Sequence, residues 1–187
     1  MDSESASLQE YLVVRSQEGD RRAINELYKL YSKAMYNICR RMIGDEEEAR
    51  DVLQDAFVDA FASLKKLQQP KTFPAWIKRV VVNHCINTLR KKRLFTISIE
   101  EKFDLAYEDD DDNYYARMEA GKILQAMDQI SVGCKTVMNL YLFEGYDHGE
   151  IGQILGITES ASKAQYCKGK AKVRDLLGME KLKVANQ

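Results

Sequence analysis

The sequence contains little that would interrupt a helix. Only two prolines, Pro70 and Pro74, occur in 187 residues, and glycine is sparse at 10 residues. Proline and glycine are the residue types that most disfavour helix interiors. Long stretches of the chain are therefore free to be helical, and no convincing alternation of apolar and polar residues predicts a strand.

Two further absences argue against membrane insertion and metal chemistry. No apolar run approaches the roughly 20 residues of a membrane-spanning helix, and the polar, acidic residues 1–9 lack the apolar core of a secretion signal. The cysteines are scattered without the short spacing of zinc ligands. We therefore expect a cytoplasmic protein with free thiols, no metal and no cofactor. The four cysteines are Cys39, Cys85, Cys134 and Cys167.

What the sequence does have is charge that is collected in blocks. Acidic residues dominate residues 45–59 and 100–112, whereas basic residues dominate residues 78–93 and 158–174. The formal net charge of −1 hides this separation. Two basic blocks on either side of an acidic one suggest two modules, each with its own contact to an anionic partner.

The second acidic block is the best candidate for a linker. It contains the run Asp109-Asp110-Asp111-Asp112, in which like charges repel, and it has few apolar residues that could anchor a fold. The predicted fold is all-α, with two small helical domains joined by this flexible acidic linker. We place the first domain at residues 8–95, the linker at 96–115 and the second domain at 116–182.

Apolar residues recur at helical spacing through both domains, so each predicted element is a helix. In the first domain, Gly44 can end one helix and Asp45 can cap the next. Pro74 suits the first turn of a third helix. The predicted helices cover residues 24–42, 49–64, 74–93, 116–130, 134–144, 147–155 and 159–177.

The strongest local signal is the segment Asp147–Thr158. A short helix with an apolar edge meets Gly156, which permits a tight turn. Ile157 can fill the angle between two helices, and the Thr158 hydroxyl can cap the second one. This is the order of residues in a helix-turn-helix, whose second helix reads the major groove of DNA. The second domain is therefore predicted to bind DNA.

The helix after Thr158 has two faces of different character. Ser162, Tyr166, Gly169 and Val173 share one arc, which should face inward. The opposite arc has basic residues that can neutralise phosphates or donate to guanine, with small residues between them. A solvated lysine-rich helix is the alternative interpretation, and the preceding turn disfavours it. This reading arc consists of Ser160, Lys163, Ala164, Cys167, Lys168, Ala171 and Arg174.

A second candidate surface lies in the first domain. Trp76, Arg79, Asn83, Asn87 and Arg90 are spaced 3, 4, 4 and 3 residues apart and therefore share one helix face. On this base-reading face the ring can stack on unpaired bases, the guanidinium groups can hold phosphate and the amides can read base edges. The alternative is that Trp76 belongs to the core and that the basic residues are only solvated.

Acidic residues form a column along one face of the helix predicted at residues 49–64, which we name the acidic column. Asp51, Asp55 and Asp59 lie four residues apart beside Gln54, away from the apolar stripe. Like charges on one face repel, so this column fits a basic protein surface, with a solvated face as the alternative. Carboxylate pairs also occur in acid–base catalysis. Nothing in the sequence suggests a closed pocket with shifted pKa values, so an enzyme is disfavoured.

Together these segments resemble the extracytoplasmic-function (ECF) group of bacterial RNA polymerase sigma factors, over about residues 20–95 and 120–178. Three motifs carry the resemblance, and their order and spacing are specific. Gly44-Asp45 with Ala49–Phe57 is similar to the polymerase-binding helix of that group. Phe73–Ile77, Asn83 and Leu89–Arg93 are similar to its −10 element reader. Glu150–Glu159 with Lys163 is similar to its −35 element reader.

The resemblance implies a transcription initiation factor that binds core RNA polymerase and directs it to promoters. It assigns polymerase binding to Asp51, Gln54 and Asp55, and −35 reading to Lys163, Ala164, Cys167 and Lys168. It assigns capture of a flipped base from the melted −10 strand to the loop Lys65–Phe73 and Asn83, with Trp76 supporting that site. The linker would run toward the RNA exit path, and an anti-sigma protein would be a further partner.

Two residues depart from the family pattern, and one alternative function stays open. Ser162 stands where an apolar residue is usual, and Gly169 stands where alanine is usual. We expect both to loosen the reading helix, since glycine costs about 1 kcal/mol relative to alanine in a helix interior. The alternative function is a stand-alone helix-turn-helix regulator, which predicts a stable dimer. A sigma factor should be a monomer when free.

Overall fold

The computed structural model describes residues 2–92 and 120–178. Side chains are described for residues 8–92 and 121–178. Within these ranges every regular element is a helix. Residue contacts divide the chain into two compact units, residues 1–91 and 92–187. The predicted linker at 96–115 lies outside the described residues, as do Arg93 and the predicted domain ends at 95, 116 and 182.

Unit 1 is built from four helices, and the second of them packs against the other three. Two short 3₁₀ turns, Leu64–Lys66 and Pro70–Thr72, connect the third helix to the fourth. The largest fully buried side chains of this unit come from the first, second and fourth helices and the first turn, and they include Val13, Leu27, Leu64, Phe73 and Ile77. The helices are α1 (Asp2–Gln17), α2 (Arg21–Ile43), α3 (Glu46–Ser63) and α4 (Phe73–Lys91).

Helix α1 is absent from the helices that the sequence pattern predicts. Its apolar residues do not form one stripe, because Leu8, Tyr11 and Val14 remain 57%, 60% and 42% exposed while Val13 is buried. The helix nevertheless docks on α2, where the Tyr31 hydroxyl donates to Gln9 Oε1 at 2.8 Å. Tertiary contacts thus hold a helix whose sequence lacks a regular apolar face.

The predicted boundaries between α2, α3 and α4 are confirmed. Gly44 ends α2 with a φ of +91°, a backbone conformation that any residue with a side chain would adopt only with strain. Asp45 caps α3, because its Oδ1 accepts a hydrogen bond from the Glu48 amide at 2.8 Å. Helix α4 begins at Phe73, one residue before Pro74.

Unit 2 contains four helices in its described part. They are α5 (Ala120–Met127), α6 (Val132–Leu142), α7 (His148–Leu155) and α8 (Glu159–Leu176). Each residue of α6 from Gly133 to Leu140 is buried, so this helix forms the centre of the unit. Helix α8 packs against α5, α6 and α7. Its position in unit 2 is therefore fixed from three directions.

Candidate functional site

The predicted helix-turn-helix is present between α7 and α8. Gly156 has φ and ψ angles of +70° and +36°, the left-handed conformation that glycine adopts most readily. The amide of Ile157 donates to the Gly152 carbonyl at 3.0 Å, which closes the turn. Thr158 Oγ1 then accepts from the Ala161 amide at 3.1 Å and caps α8.

The start of α7 is fixed by a reciprocal cap. Asp147 Oδ1 accepts from the Glu150 amide at 2.7 Å, and Glu150 Oε2 accepts from the Asp147 amide at 2.9 Å. Two amides that have no partner inside the helix are thereby satisfied. Both ends of α7 are therefore fixed by hydrogen bonds between residues that are close in the sequence, so α7 has a well-defined position from which to pack against α8.

The two arcs of α8 face as predicted. Ser162, Tyr166, Gly169 and Val173 are all buried. Every residue of the reading arc is exposed or half-buried. Ser160, Lys163, Lys168 and Ala171 are exposed, and Ala164, Cys167 and Arg174 are half-buried. Lys163 Nζ lies 2.7 Å from Glu159 Oε1, so one lysine of the arc has an acidic neighbour on the same helix.

Ser162 ties α8 to α7 instead of loosening it. Its hydroxyl lies 2.9 Å from Nδ1 of the buried His148. The His148 ring is stacked on Tyr141, with centroids 4.6 Å apart and an angle of 11° between the planes. Burial lowers the pKa of His148, and the charge of Lys163 lowers it further, whereas Glu159 and Asp147 oppose this. The Ser162 hydroxyl of the inner arc thus bonds an imidazole whose pKa is lowered, which favours its neutral form.

Gly169 has a packing role that the sequence analysis did not foresee. A Cβ at this position would lie 2.6 Å from Met138 Sδ and 3.1 Å from Cys134 Cβ. Helices α6 and α8 approach each other so closely here that even a methyl group would require Met138 or the helices to shift. Beside this contact the Cys134 thiol donates to Gln165 Oε1 at 3.1 Å. The expectation that Ser162 and Gly169 loosen α8 is therefore wrong, because both sit at close contacts between helices.

The base-reading face of α4 is open to solvent over most of its length. Arg79, Asn83, Asn87 and Arg90 are exposed. Trp76 is half-buried, and its ring centroid lies 5.8 Å from that of the buried Phe73. Trp76 therefore combines the two interpretations, since one part of the ring packs on the core and another part is accessible. The opposite face of α4 is buried.

The acidic column on α3 divides into an open part and a paired part. Asp51, Gln54 and Asp55 are exposed, and no ion pair of either carboxylate is present within the described part of unit 1. Asp59 differs, because its Oδ2 lies 3.1 Å from Nε2 of His84 on α4. The open part coincides with the three residues predicted to bind polymerase.

One contact near these surfaces was missed by the sequence analysis. Gln17, the last residue of α1, donates from Nε2 to the carbonyl of Leu64 at 3.0 Å and to that of Leu67 at 2.8 Å. These partners are 47 and 50 residues away along the chain. No local pattern could have indicated the pairing, because it depends on the docking of a helix that was not predicted.

The described residues also limit other kinds of site. Among them, no group of His, Cys, Asp and Glu side chains is arranged to hold a metal ion. None of the described helices combines the length and the apolar character needed to cross a membrane.

Comparison with known protein families identifies the chain. The family description of sigma-70 region 2 matches residues 27–95, and that of sigma-70 region 4 matches residues 120–173. The two matches together cover about two thirds of the chain. The chain belongs to the sigma-70 family, in the ECF group. This sigma factor is a transcription initiation factor that directs RNA polymerase to promoters.

Similar proteins support this assignment along nearly the whole chain. The RNA polymerase sigma factor NccH of Alcaligenes xylosoxydans xylosoxydans is 25% identical over 177 residues, which cover 91% of this chain and 95% of NccH. The ECF RNA polymerase sigma factor SigM of Mycobacterium tuberculosis is 25% identical over 162 residues, which cover 86% of this chain and 80% of SigM. Both regions of the sigma factor thus have counterparts in these relatives.

A solved structure shares the fold. The sigma factor RpoE of Bartonella quintana, in complex with the anti-sigma factor NepR, aligns with a TM-score of 0.56 at 15% sequence identity. The alignment covers 82% of this chain and 96% of RpoE. The shared all-helical architecture agrees with the fold predicted from the sequence.

Proposed function

We propose that this sigma factor divides promoter recognition between its two units. In unit 1, α3 binds core polymerase, and α4 with the preceding loop binds the melted −10 element. In unit 2, α8 reads the −35 element in duplex DNA. The observation that carries the proposal is the separation of α8 into a buried inner arc and a basic outer arc directly behind a helix-turn-helix turn.

The −35 assignment is supported by the chemistry of the reading arc. Lys163 and Lys168 are exposed and can contact phosphates or guanine acceptors. Ala164 and Cys167 lie between them and are small enough for the helix backbone to approach the bases. Ser160 and Arg174 extend the contact surface toward the two ends of α8.

The −10 assignment is supported by the base-reading face of α4 and by the loop before it. Unpaired bases offer a π-face for stacking and unsatisfied edges for hydrogen bonds, which suit the ring of Trp76 and the amides of Asn83 and Asn87. Arg79 and Arg90 supply positive charge for the phosphates. We name the segment Lys65–Phe73 the capture loop. Its exposed residues include Lys65, Lys66, Gln68, Gln69 and Lys71.

The polymerase assignment is supported by the open part of the acidic column. Asp51 and Asp55 have no basic partner within the described residues of unit 1, so a basic surface of another protein can pair with them without displacing an internal contact. Gln54, exposed beside them, adds hydrogen-bonding capacity. Complementary charge of this kind favours fast and specific association.

Two double variants with the same charge change test the polymerase assignment. We expect Asp51→Arg with Asp55→Arg to abolish binding to core polymerase, since like charges would then face each other. The matched control is Glu10→Arg with Glu26→Arg, which changes two exposed acids on other helices. Binding is measured by fluorescence anisotropy of labelled sigma factor titrated with core enzyme. Equal affinity of the two double variants would remove the acidic column from the proposal.

A second test separates −10 reading from polymerase binding. Asn83→Ala should reduce open-complex formation while affinity for core polymerase stays unchanged, because Asn83 lies on α4 and not on the acidic column. The matched control is Asn25→Ala, an exposed asparagine on α2. Permanganate footprinting of melted promoter DNA gives the readout. Normal melting with Asn83→Ala would refute the role of this residue in base capture.

The proposed role also has consequences for location and partners. A protein that works on core polymerase and chromosomal DNA acts in the cytoplasm, and it needs no cofactor of its own. We propose that it is a monomer when free, since each unit carries a single copy of each surface. An anti-sigma protein is a further proposed partner, in line with the RpoE–NepR complex.

A further inference from the structure

Helix α1 reaches the capture loop through one side chain. Gln17 Nε2 donates to the carbonyls of Leu64 and Leu67 at 3.0 and 2.8 Å, so one amide group engages both residues. Leu64 directly follows α3 and begins the first 3₁₀ turn, and Leu67 directly follows that turn. The amide therefore grips the backbone where the chain leaves α3 and enters the loop.

The position of Gln17 is itself well defined. Gly19, with a φ of +91°, allows α1 to end and α2 to begin after a connection of three residues. Arg15 pairs with Asp20, the residue that caps α2, at 3.1 Å. Deeper in the unit Val13 is fully buried. A short connection, an ion pair and a core residue thus hold the end of α1 in one place.

The far end of the capture loop is held by different contacts. Phe73 is fully buried, and its ring meets Tyr31 of α2 edge-on at 5.2 Å. Within the loop Thr72 Oγ1 donates to the Gln69 carbonyl at 2.7 Å. Between the two anchored ends the lysines and glutamines face solvent. Helix α1 also packs against the second 3₁₀ turn, Pro70–Thr72. The loop is therefore held at both ends and at this turn, and the hydrogen bonds of Gln17 are the contact of α1 with the backbone of its first turn.

We propose that Gln17 is a positioning residue for −10 recognition, which it serves by holding the first turn of the capture loop in the shape that accepts a base. The inference rests on the proposed function of the loop. It extends that function to α1, which lies outside the segment 27–95 matched by sigma-70 region 2. In this role Gln17 acts through the carbonyls of Leu64 and Leu67 rather than through a contact with DNA.

The test uses reconstituted holoenzyme and a DNA template library in which the −10 segment is randomised behind one fixed upstream sequence. Transcripts are sequenced, and the preference for each base is compared between sigma variants. Gln17→Met keeps the length of the side chain but cannot donate, so both hydrogen bonds are lost. Gln17→Asn is a second variant that stays polar but cannot span the same distance. Circular dichroism and affinity for core polymerase are measured for each variant.

Tyr31→Phe is the matched control. It removes the hydrogen bond from Tyr31 to Gln9 and so weakens the docking of α1, but it keeps the ring against Phe73 and leaves the Leu64 and Leu67 carbonyls bonded. If Gln17 served only folding, its variants would lower the stability of the protein without altering the base preference. A positioning role changes the preference itself, at unchanged affinity for core enzyme.

We expect Gln17→Met and Gln17→Asn to reduce discrimination at the captured base by about tenfold, because two hydrogen bonds to the loop are lost, while Tyr31→Phe keeps it. Full discrimination in both Gln17 variants would overturn the inference. So would an equal loss in Tyr31→Phe, since the effect would then come from α1 docking in general. A wild-type holoenzyme without any −10 preference would instead overturn the proposed function of the loop.

Discussion

Replacing Gly169 by alanine sets two effects of opposite sign against each other. In an exposed helix interior, glycine to alanine stabilises by about 1 kcal/mol, because glycine loses more backbone freedom on folding. At Gly169 the added Cβ would lie 2.6 Å from Met138 Sδ and 3.1 Å from Cys134 Cβ. Both distances are too short for carbon and sulfur atoms, so α6 and α8 must separate or Met138 must move.

The structure decides which effect prevails. Met138 is only 1% exposed and Cys134 only 2%, so neither has open space beside it. Overpacking of such a core costs about 1–3 kcal/mol. After subtraction of the helix-propensity gain, we expect Gly169→Ala to destabilise α8 by about 1 kcal/mol. Since α8 carries the reading arc, binding to −35 duplex DNA should weaken as well.

Native-state hydrogen exchange measures this effect locally. Amides of α6 and α8 should exchange about fivefold faster in Gly169→Ala, as 1 kcal/mol implies. Gly121→Ala is the control, because its added Cβ meets nothing within 4 Å and should not speed exchange. In a Met138→Ala background the penalty of Gly169→Ala should shrink, which a double-mutant cycle detects. Slower exchange of α8 in Gly169→Ala would refute the argument from close packing.

Three further predictions concern unit 2. Burial lowers the pKa of His148 below the ordinary value of 6.5, so the unfolded chain binds more protons than the folded one in acid. The free energy of unfolding of unit 2 should therefore be complete above pH 6.5 and decline as pH falls through the lowered pKa. An NMR titration midpoint of His148 above 6.5 would contradict this. Lys163→Ala should lower the slope of log affinity against log salt by about 0.9 for −35 duplex DNA, measured by anisotropy with Lys122→Ala, outside the reading arc, as the unaffected control. Asp147→Ala removes the cap of α7 and should destabilise it by about 1–2 kcal/mol, seen as faster amide exchange in α7; unchanged exchange would argue against the cap.

Local chemistry explains why much of unit 2 could be predicted from the sequence. Gly156, Ile157 and Thr158 each act on neighbours within a few residues, so their order alone indicates the turn. The inner arc of α8 follows from helical spacing, and all four of its residues are buried. Helix ends at Gly44 and Asp45 were predictable for the same reason.

The features that were missed depend on residues far apart in the chain. Ser162 was expected to weaken α8, but its partner His148 lies 14 residues away on another helix. Gly169 was judged by helix propensity, whereas the approach of α6 decides its effect. Gln17 lies on a helix with no apolar stripe, and it bonds carbonyls that are 47 and 50 residues away in the chain. Spacing and propensity describe one helix at a time and carry no information about such pairings.

The division of α8 into two arcs has a consequence for how such factors diverge. The outer arc is exposed or half-buried, and substitutions of exposed residues usually alter stability by no more than about 0.5 kcal/mol. The inner arc is constrained by close contacts with α6 and α7. Under the proposed −35 assignment, a lineage can therefore change the DNA sequence it selects by altering a few exposed side chains of α8, while the buried residues that hold this helix in place are inherited unchanged.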